Sequence, residues 1–242
     1  MNRWEIYDRL IEGIPDGLTA EEVICGMSWT MVRASDGTVG LAMTTNVQTL
    51  PAACTGYAGM PLKKAAESVR SWNFVEAGIG MAAINAYYNS AARMEAMGSR
   101  QRDDRFCTYD IPFAGKNVTM VGAMHHPAGM FDPAARHMIL ERENVPGTYP
   151  DSAAEYYLPD SDLVILTGSA FVNKTMPRLL ELCAGADVII TGPSTPMAPL
   201  LLEYGVRRLA GLVITEKKAC FDFVAEGVSR TPYPFGERFI LE

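Results

Sequence analysis

The sequence contains no run of basic residues, no long unbroken apolar stretch and only three histidines. Each shortage removes a class of function. With 21 Lys and Arg against 28 Asp and Glu the formal net charge is -7, so the counterion-releasing attraction that nonspecific nucleic-acid binding depends on is missing. No segment reaches the ~18 apolar residues that a membrane span requires. The N-terminal MNRWEIYDRLIEGI mixes charged and apolar residues, where a secretory leader would carry a basic head and an apolar core. These features predict a cytoplasmic protein with neither nucleic acid nor membrane as partner. The five cysteines are odd in number and widely spaced, with no Cys-x-x-Cys and no His-x-x-x-His, so neither a disulfide scaffold nor a familiar zinc spacing is encoded. Cys25, Cys107, Cys183 and Cys220 read as small apolar core residues. Cys54, in the loop-like LPAACTGYAGMP, is placed to present a thiol.

What is present suffices for a substantial core: 48% of the 242 residues are hydrophobic. Two stretches of different pattern follow one another. In the first hundred residues Trp4, Ile6, Tyr7, Leu10 and Ile11 recur at helical spacing. Two β-prone runs then flank Asp36-Gly37, a strong signal for an antiparallel pair. After a Gly/Pro-rich loop from Pro51 to Pro61, PLKKAAESVRSW and the apolar NFVEAGIGMAAINAYYNSAARM predict helices. From about Asn117 short β-branched runs take over: NVTMVGA, HMILE, SDLVILTG, ADVIITG and RRLAGLVIT. Helical stretches containing DSAAEYYL, KTMPRLLELCA and MAPLLLEYG separate the later ones. Parallel strands cannot be joined by tight turns, so this alternation predicts a Rossmann-like parallel sheet. The expected fold class is α/β: an α+β domain over residues 1–100, then a Rossmann-like domain over 101–242, joined in the polar MGSRQRDDRFCTYDIPFAGK.

Three apolar strands end in small, hydrogen-bonding residues. Gly122 closes the first, Thr167, Gly168 and Ser169 the third, and Gly192, Pro193, Ser194 and Thr195 the fourth. Ligands of open α/β sheets bind beyond the carboxyl ends of the strands. Glycine lets a ligand approach the backbone, and hydroxyls and helix N–H groups supply donors. Ordinary strand-to-helix turns capped by serine and threonine are the competing explanation. The first strand end, GAMHHPAG, lacks Gly-x-Gly-x-x-Gly, which disfavours NAD. Glu141, 19 positions after Gly122, stands near the offset at which an acidic group meets a ribose hydroxyl, so S-adenosylmethionine stays an option.

His125 and His126 follow the first strand, where either can serve as acid, base or metal ligand, though no nearby cluster completes a metal site. His137 opens a strand and reads as structural. Asp151 and Glu155, four apart, share one helical face and could bind a cation or share a proton, or be a helix cap and a solvated carboxylate. Asn173 and Thr175 lie just past an expected helix start near Phe171 and Val172, with Asn173 suited to orienting a ligand.

The blocks VILTGSAFVNKT, IITGPSTPMAP, PGTYPDSAAEYYLPDSD and SWNFVEAGIGMAAINA together resemble the DUF364 family, associated with heavy-metal chelation, with its companion DUF4213 region over the N-terminal half. The resemblance implies an enolase N-terminal-like domain followed by a Rossmann-like domain, with an active site between them. It further implies binding, condensation or hydrolysis of a pterin-, flavin- or siderophore-like molecule. Carried over by motif, the positions at stake are Gly122, Glu141, Asp151, Glu155, Ser169, Asn173, Thr175 and Gly192 to Thr195, with Glu76 and Asn85 on the N-terminal side. The leading expectation is a small polar or metal-chelating organic ligand in the cleft between the halves, with Glu76 or Glu141 as candidate base and Ser169, Asn173, Ser194 and Thr195 as positioning donors. The alternatives are a non-catalytic metal or metallophore binder using His125, His126, Asp151, Glu155 and Cys54, and an S-adenosylmethionine-dependent methyltransferase. Whether the protein is an enzyme, whether a transition metal is its cofactor and whether it forms a homo-oligomer are left open.

Overall fold

A computed structural model describes residues 2–45, 50–54, 56–102, 111–227 and 230–242. Cys107 and part of the polar joining stretch lie outside the described residues. The N-terminal helix α1 (Glu5–Glu12) buries Ile6, Tyr7, Leu10 and Ile11, the apolar stripe its spacing encodes. A three-stranded antiparallel sheet follows, β1 (Ala20–Cys25), β2 (Trp29–Ala34) and β3 (Val39–Met43), in that order. The Asp36-Gly37 turn joins β2 to β3, with Gly37 at φ 79°. The first β-prone run, expected as one strand, breaks into β1 and β2. Gly26 sits at the break, where a side chain would strike the Val224 carbonyl.

The short helix α2 (Leu62–Ala66) leads to α3 (Phe74–Tyr88), capped by the Asn73 side chain, which accepts from the Val75 and Glu76 amides. Nearly every residue of α3 is buried, so it has no polar face. It lies directly on β3: an added Cβ at Gly40 would sit 2.1 Å from the Ala82 carbonyl oxygen and the Ala86 nitrogen. The predicted long helix is interrupted at Asn89–Ser90, and α4 (Ala91–Ala96) restarts with Ser90 as its cap.

Among the described residues the second sheet has eight strands. All five runs predicted in the second half are strands: β5 (Asn117–Val121), β6 (Arg136–Glu141), β8 (Leu163–Thr167), β9 (Asp187–Thr191) and β10 (Val206–Ile214). With the two-residue β7 (Tyr149–Pro150) they form a parallel array ordered β7-β6-β5-β8-β9-β10. That order, third-second-first-fourth-fifth-sixth, is the doubly wound Rossmann arrangement, which reverses direction between β5 and β8. Antiparallel β11 (Gly236–Leu241) and β4 (Arg100–Arg102) extend the β10 edge. Leu163 to Leu166 are all buried, as a strand covered on both faces requires.

The helical predictions fare less evenly. DSAAEYYL gives one 3-10 turn and a four-residue helix α5 (Ala154–Tyr157). MAPLLLEYG yields only a 3-10 helix, Pro199–Tyr204, with Pro199 at its first position and Gly205 ending it in the left-handed conformation. No helix starts at Phe171 and Val172 as expected. A 3-10 turn covers Gly168–Phe171, and α6 (Met176–Leu182) begins beyond Asn173. A helix not anticipated, α7 (Lys217–Ala225), packs Cys220, Phe223 and Val224 with Trp29, Met31 and Leu41 of the small sheet.

One apolar core runs from α1 and α3 into β8, β9 and α6. The Tyr7 hydroxyl donates to the Phe171 carbonyl at 3.0 Å. Asn89, buried at the end of α3, donates to the carbonyls of Thr195 (2.9 Å) and Leu212 (3.3 Å) and accepts from the Met197 amide (2.9 Å). Through that one side chain the helical layer is hydrogen-bonded to the large sheet. Among the described residues no helix is long and apolar enough to cross a membrane.

Candidate functional site

A cleft of about 530 Å³ opens at the carboxyl ends of β5, β6 and β8, at the point where the strand order reverses. Val121 and Gly122 end its first strand, Leu140 and Glu141 its second, and Thr167 with Ser169 and Ala170 its third. Asp151, Ser152 and Glu155 join the lining from the segment after β7, and Asn173, Thr175, Arg178, Leu179 and Leu182 from the segment after β8. Met43, from the end of β3, joins the lining from the small sheet.

Gly122 turns at φ 97°, a conformation that strains any side chain, and an added Cβ there would meet the Thr167 methyl at 2.9 Å. Glu141 is fixed by main-chain donors: the Ala123 amide at 2.7 Å on Oε2, and those of Arg142 (2.6 Å) and Glu143 (3.2 Å) on Oε1. Thr167 Oγ1 and Ser169 Oγ are 2.9 Å apart. Asn173 Oδ1 accepts from the Thr175 amide (3.1 Å) and hydroxyl (2.6 Å), which occupies its oxygen within its own turn.

Asp151 and Glu155 do not form a pair. Asp151 meets Arg142 at 3.1 Å, and Glu155 takes two bonds from Arg178 at 2.9 and 2.5 Å. The Arg178 hydrogen bonds hold the Glu155 carboxyl below the ordinary carboxylate range, so it stores no shared proton. The two arginines are cleft residues that the sequence reading missed. The available signal was the occurrence of both charge signs beside the predicted strand ends, with Arg142 next to Glu141 and Arg178 three residues past Thr175.

The other expected site residues lie elsewhere. Ser194 is buried, and its hydroxyl accepts the Met43 amide at 2.9 Å. Thr195 is buried with no partner for its Oγ1 among the described residues. Gly168 packs under this fourth corner: an added Cβ would lie 2.6 Å from the Thr195 nitrogen. Gly192, at φ 108°, has open space around it, and neither it nor Pro193 lines the cleft. The fourth strand end therefore bears on the cleft indirectly, through the Ser194 bond to the Met43 amide and the packing of Thr195 against Gly168. The first and third corners line the cleft, and the fourth does not.

Glu76 and Asn85 are also outside the cleft. The buried Glu76 carboxylate accepts from the Ala53 and Cys54 amides (2.7 and 2.8 Å), Tyr57 (3.2 Å) and Ser71 (2.7 Å). Burial acts to raise its pKa, but the bonds from Ser71, Cys54, Ala53 and Tyr57 outweigh it, and the net shift is downward. That is the opposite of what a general base near neutral pH needs. Asn85 is fully buried on α3 and donates to the Leu41 carbonyl at 2.7 Å. Cys54 is half-buried, its thiol 3.2 Å from the Gly56 carbonyl.

His125 is exposed and His126 half-buried, its ring edge-on to Phe131 and His137. His137 stacks on Phe131 at 4.2 Å, and burial followed by the neighbouring His126 pushes its pKa down. Among the described residues no three His, Cys, Asp or Glu side chains converge to hold a metal ion. Glu141 is met by amides and Asp151 and Glu155 by arginines, so these three carboxylates do not make a preformed site for a directly ligated heavy metal.

A residue between two cleft positions is unusual. Lys174 is the one non-glycine at positive φ among the described residues, at 65°. Its ammonium donates to the carbonyls of Ser71 and Val172 and lies over the rings of Phe74 (5.0 Å) and Trp72 (5.7 Å). Burial pulls its pKa down to about 8.

Residues 110–235 match the DUF364 family and residues 7–88 the DUF4213 family, both described as "Putative heavy-metal chelation". A crystal structure of a DUF364-family protein of unknown function from Desulfitobacterium hafniense DCB-2 is 36% identical, covers 99% of this chain and 98% of its own, and superposes with a TM-score of 0.88. Another, from Pyrococcus horikoshii, shares the fold over 100% of both chains at 22% identity and a TM-score of 0.82. The uncharacterized protein MJ0500 of Methanocaldococcus jannaschii is 28% identical over 153 residues, 60% of this chain and 58% of that relative. The curated relative is thus matched over little more than half its length. With more than half of its residues inside the DUF364 match and most of the remainder inside DUF4213, the chain belongs to the DUF364 family.

Proposed function

We propose that the cleft at the ends of β5, β6 and β8 binds a small polar organic ligand, roofed by Met43 of the small sheet. Pterin-, flavin- and siderophore-like molecules, the classes that the sequence resemblance implies, are the starting candidates, and a metal-chelating one among them accords with the heavy-metal chelation of the family description. The observation that carries the reading is the convergence of three strand ends and the first sheet on one cavity at the topological switch point. Asn173, whose Oδ1 is occupied locally, keeps its amide NH2 for a ligand. Ser169 and Thr167 add hydroxyls, and Val121, Leu140, Leu179 and Leu182 offer apolar wall. In this reading any metal arrives already coordinated by the organic molecule, because among the described residues no three His, Cys, Asp or Glu side chains converge to ligate one. Glu141, at the end of β6, is placed to take a proton from a bound ligand, and Glu76 serves as a structural acceptor.

The test is native mass spectrometry of protein purified without added metal, followed by denaturation and identification of whatever is released. A small organic molecule should co-purify and be lost from Asn173→Ala and Ser169→Ala at unchanged folded fraction. A co-purified molecule retained by both variants argues for another site and against this cleft.

A further inference from the structure

Resting on the cleft reading and narrowing its ligand class, we infer that the ligand contains a ribonucleoside bearing no phosphate, with a ribose hydroxyl on Glu141. The parallel strand order places β6 beside β5, and an acidic residue ending that second strand meets ribose in sheets of this order. Glu141 ends β6 and lines the cleft. Its carboxylate is already oriented by three amides, two on Oε1 and one on Oε2. A carboxylate oxygen has two acceptor directions. Oε1 has both filled, and Oε2 retains one, beside the Gly122–Ala123 turn where no side chain intrudes at Gly122. Val121, Leu140, Leu179 and Leu182 provide apolar surface for the faces of a base.

Charge excludes the phosphate. The cleft is lined by four carboxylates, Glu141, Glu143, Asp151 and Glu155, against two guanidiniums, Arg142 and Arg178. Both guanidiniums already bond a carboxylate. The lining therefore carries an excess of two negative charges before any ligand enters. Phosphate-binding sheets of this order place a helix N-terminus beyond the first strand. Here the segment between β5 and β6 forms turns and no helix. A neutral nucleoside, or one with a cationic substituent such as a sulfonium, suits this field; a nucleotide does not.

Two methionines, Met43 and Met124, line the cleft, so methyl-13C-methionine NMR reports on it directly, with the other methionines as internal controls. The probes are adenosine, guanosine, cytidine, uridine, 2'-deoxyadenosine, S-adenosylmethionine and AMP, and, as non-nucleosides, a pterin and a catechol chelator. At least one ribonucleoside should shift Met43 and Met124 saturably and leave the remote methionines in place. Its 5'-monophosphate should bind at least ten-fold more weakly, and Glu141→Gln should weaken the nucleoside at least ten-fold with the remaining spectrum unchanged. If the pterin or the chelator shifts these two methyls and no nucleoside does, the inference falls while the cleft reading stands. A monophosphate that binds as tightly as its nucleoside also overturns the inference. If no probe moves either methyl, both readings fail.

Discussion

Gly168→Ala tests why a strand of this sheet ends in glycine. The added Cβ would lie 2.6 Å from both the nitrogen and the Oγ1 of Thr195 and 2.8 Å from the Ser194 carbonyl carbon. Ordinary contact begins near 3.4 Å, so the two strand-end turns must separate by roughly 0.8 Å, the shortfall in a close-packed interior that tolerates little. Overpacking of this kind costs about 1–3 kcal/mol, offset by up to ~1 kcal/mol because alanine restricts the unfolded chain. A net loss of about 1–2 kcal/mol follows, equivalent to ~2–8 °C in Tm for a chain of this size. Urea unfolding followed by tryptophan fluorescence measures it. Truncating the Thr195 side chain as well should restore only part of the loss, since the Thr195 nitrogen belongs to the backbone. Ser169 and Asn173 follow the displaced turn into the cleft, so ligand affinity should fall with stability. A Gly168→Ala protein within 0.5 kcal/mol of the parent, or full rescue by Thr195→Ala, would refute the packing argument.

Asn89→Ala should cost about 3–5 kcal/mol, because it leaves the Thr195 and Leu212 carbonyls and the Met197 amide without their buried partner. Hydrogen exchange at Met197 should accelerate, and a loss below 1 kcal/mol would show that water replaces the side chain. Lys174 predicts a pH dependence. The unfolded chain holds its proton to near the ordinary 10.5, whereas the folded protein releases it near 8, so stability should rise with pH between these values. After discounting for solvent screening of a half-buried amine, the rise is on the order of 1–2 kcal/mol relative to Lys174→Met. A flat difference between pH 7.5 and 10 would mean that the Ser71 and Val172 carbonyls and the two aromatic rings offset the burial completely.

The sequence by itself determined the five central parallel strands of the second sheet, while β7 and the antiparallel β4 and β11 were not anticipated. Strands covered on both faces must be continuous apolar runs, as β8 is, and β5, β6, β9 and β10 also stand where short β-branched or apolar runs occur. The Asp36-Gly37 turn and the α1 stripe were legible for the same reason: each is a local rule, settled within a few residues. The alternation of these runs with helical stretches pointed to the carboxyl ends of parallel strands as the side on which a ligand would be sought.

Which strand end faces the cleft and which supports it was decided only by the tertiary structure. Gly122, Gly168 and Gly192 look alike in sequence, yet one lines the cavity, one packs against Thr195 and one merely turns. Glu76 and Glu141 are both plausible bases by type. The first is filled by donors from a loop about twenty residues away in the chain, while the second keeps an open acceptor. Asp151 and Glu155 sit one helical turn apart in sequence, but Arg142 and Arg178 pair with them from other elements. A side chain's chemistry depends on which groups reach it across the fold, and spacing along the chain carries no record of those distances.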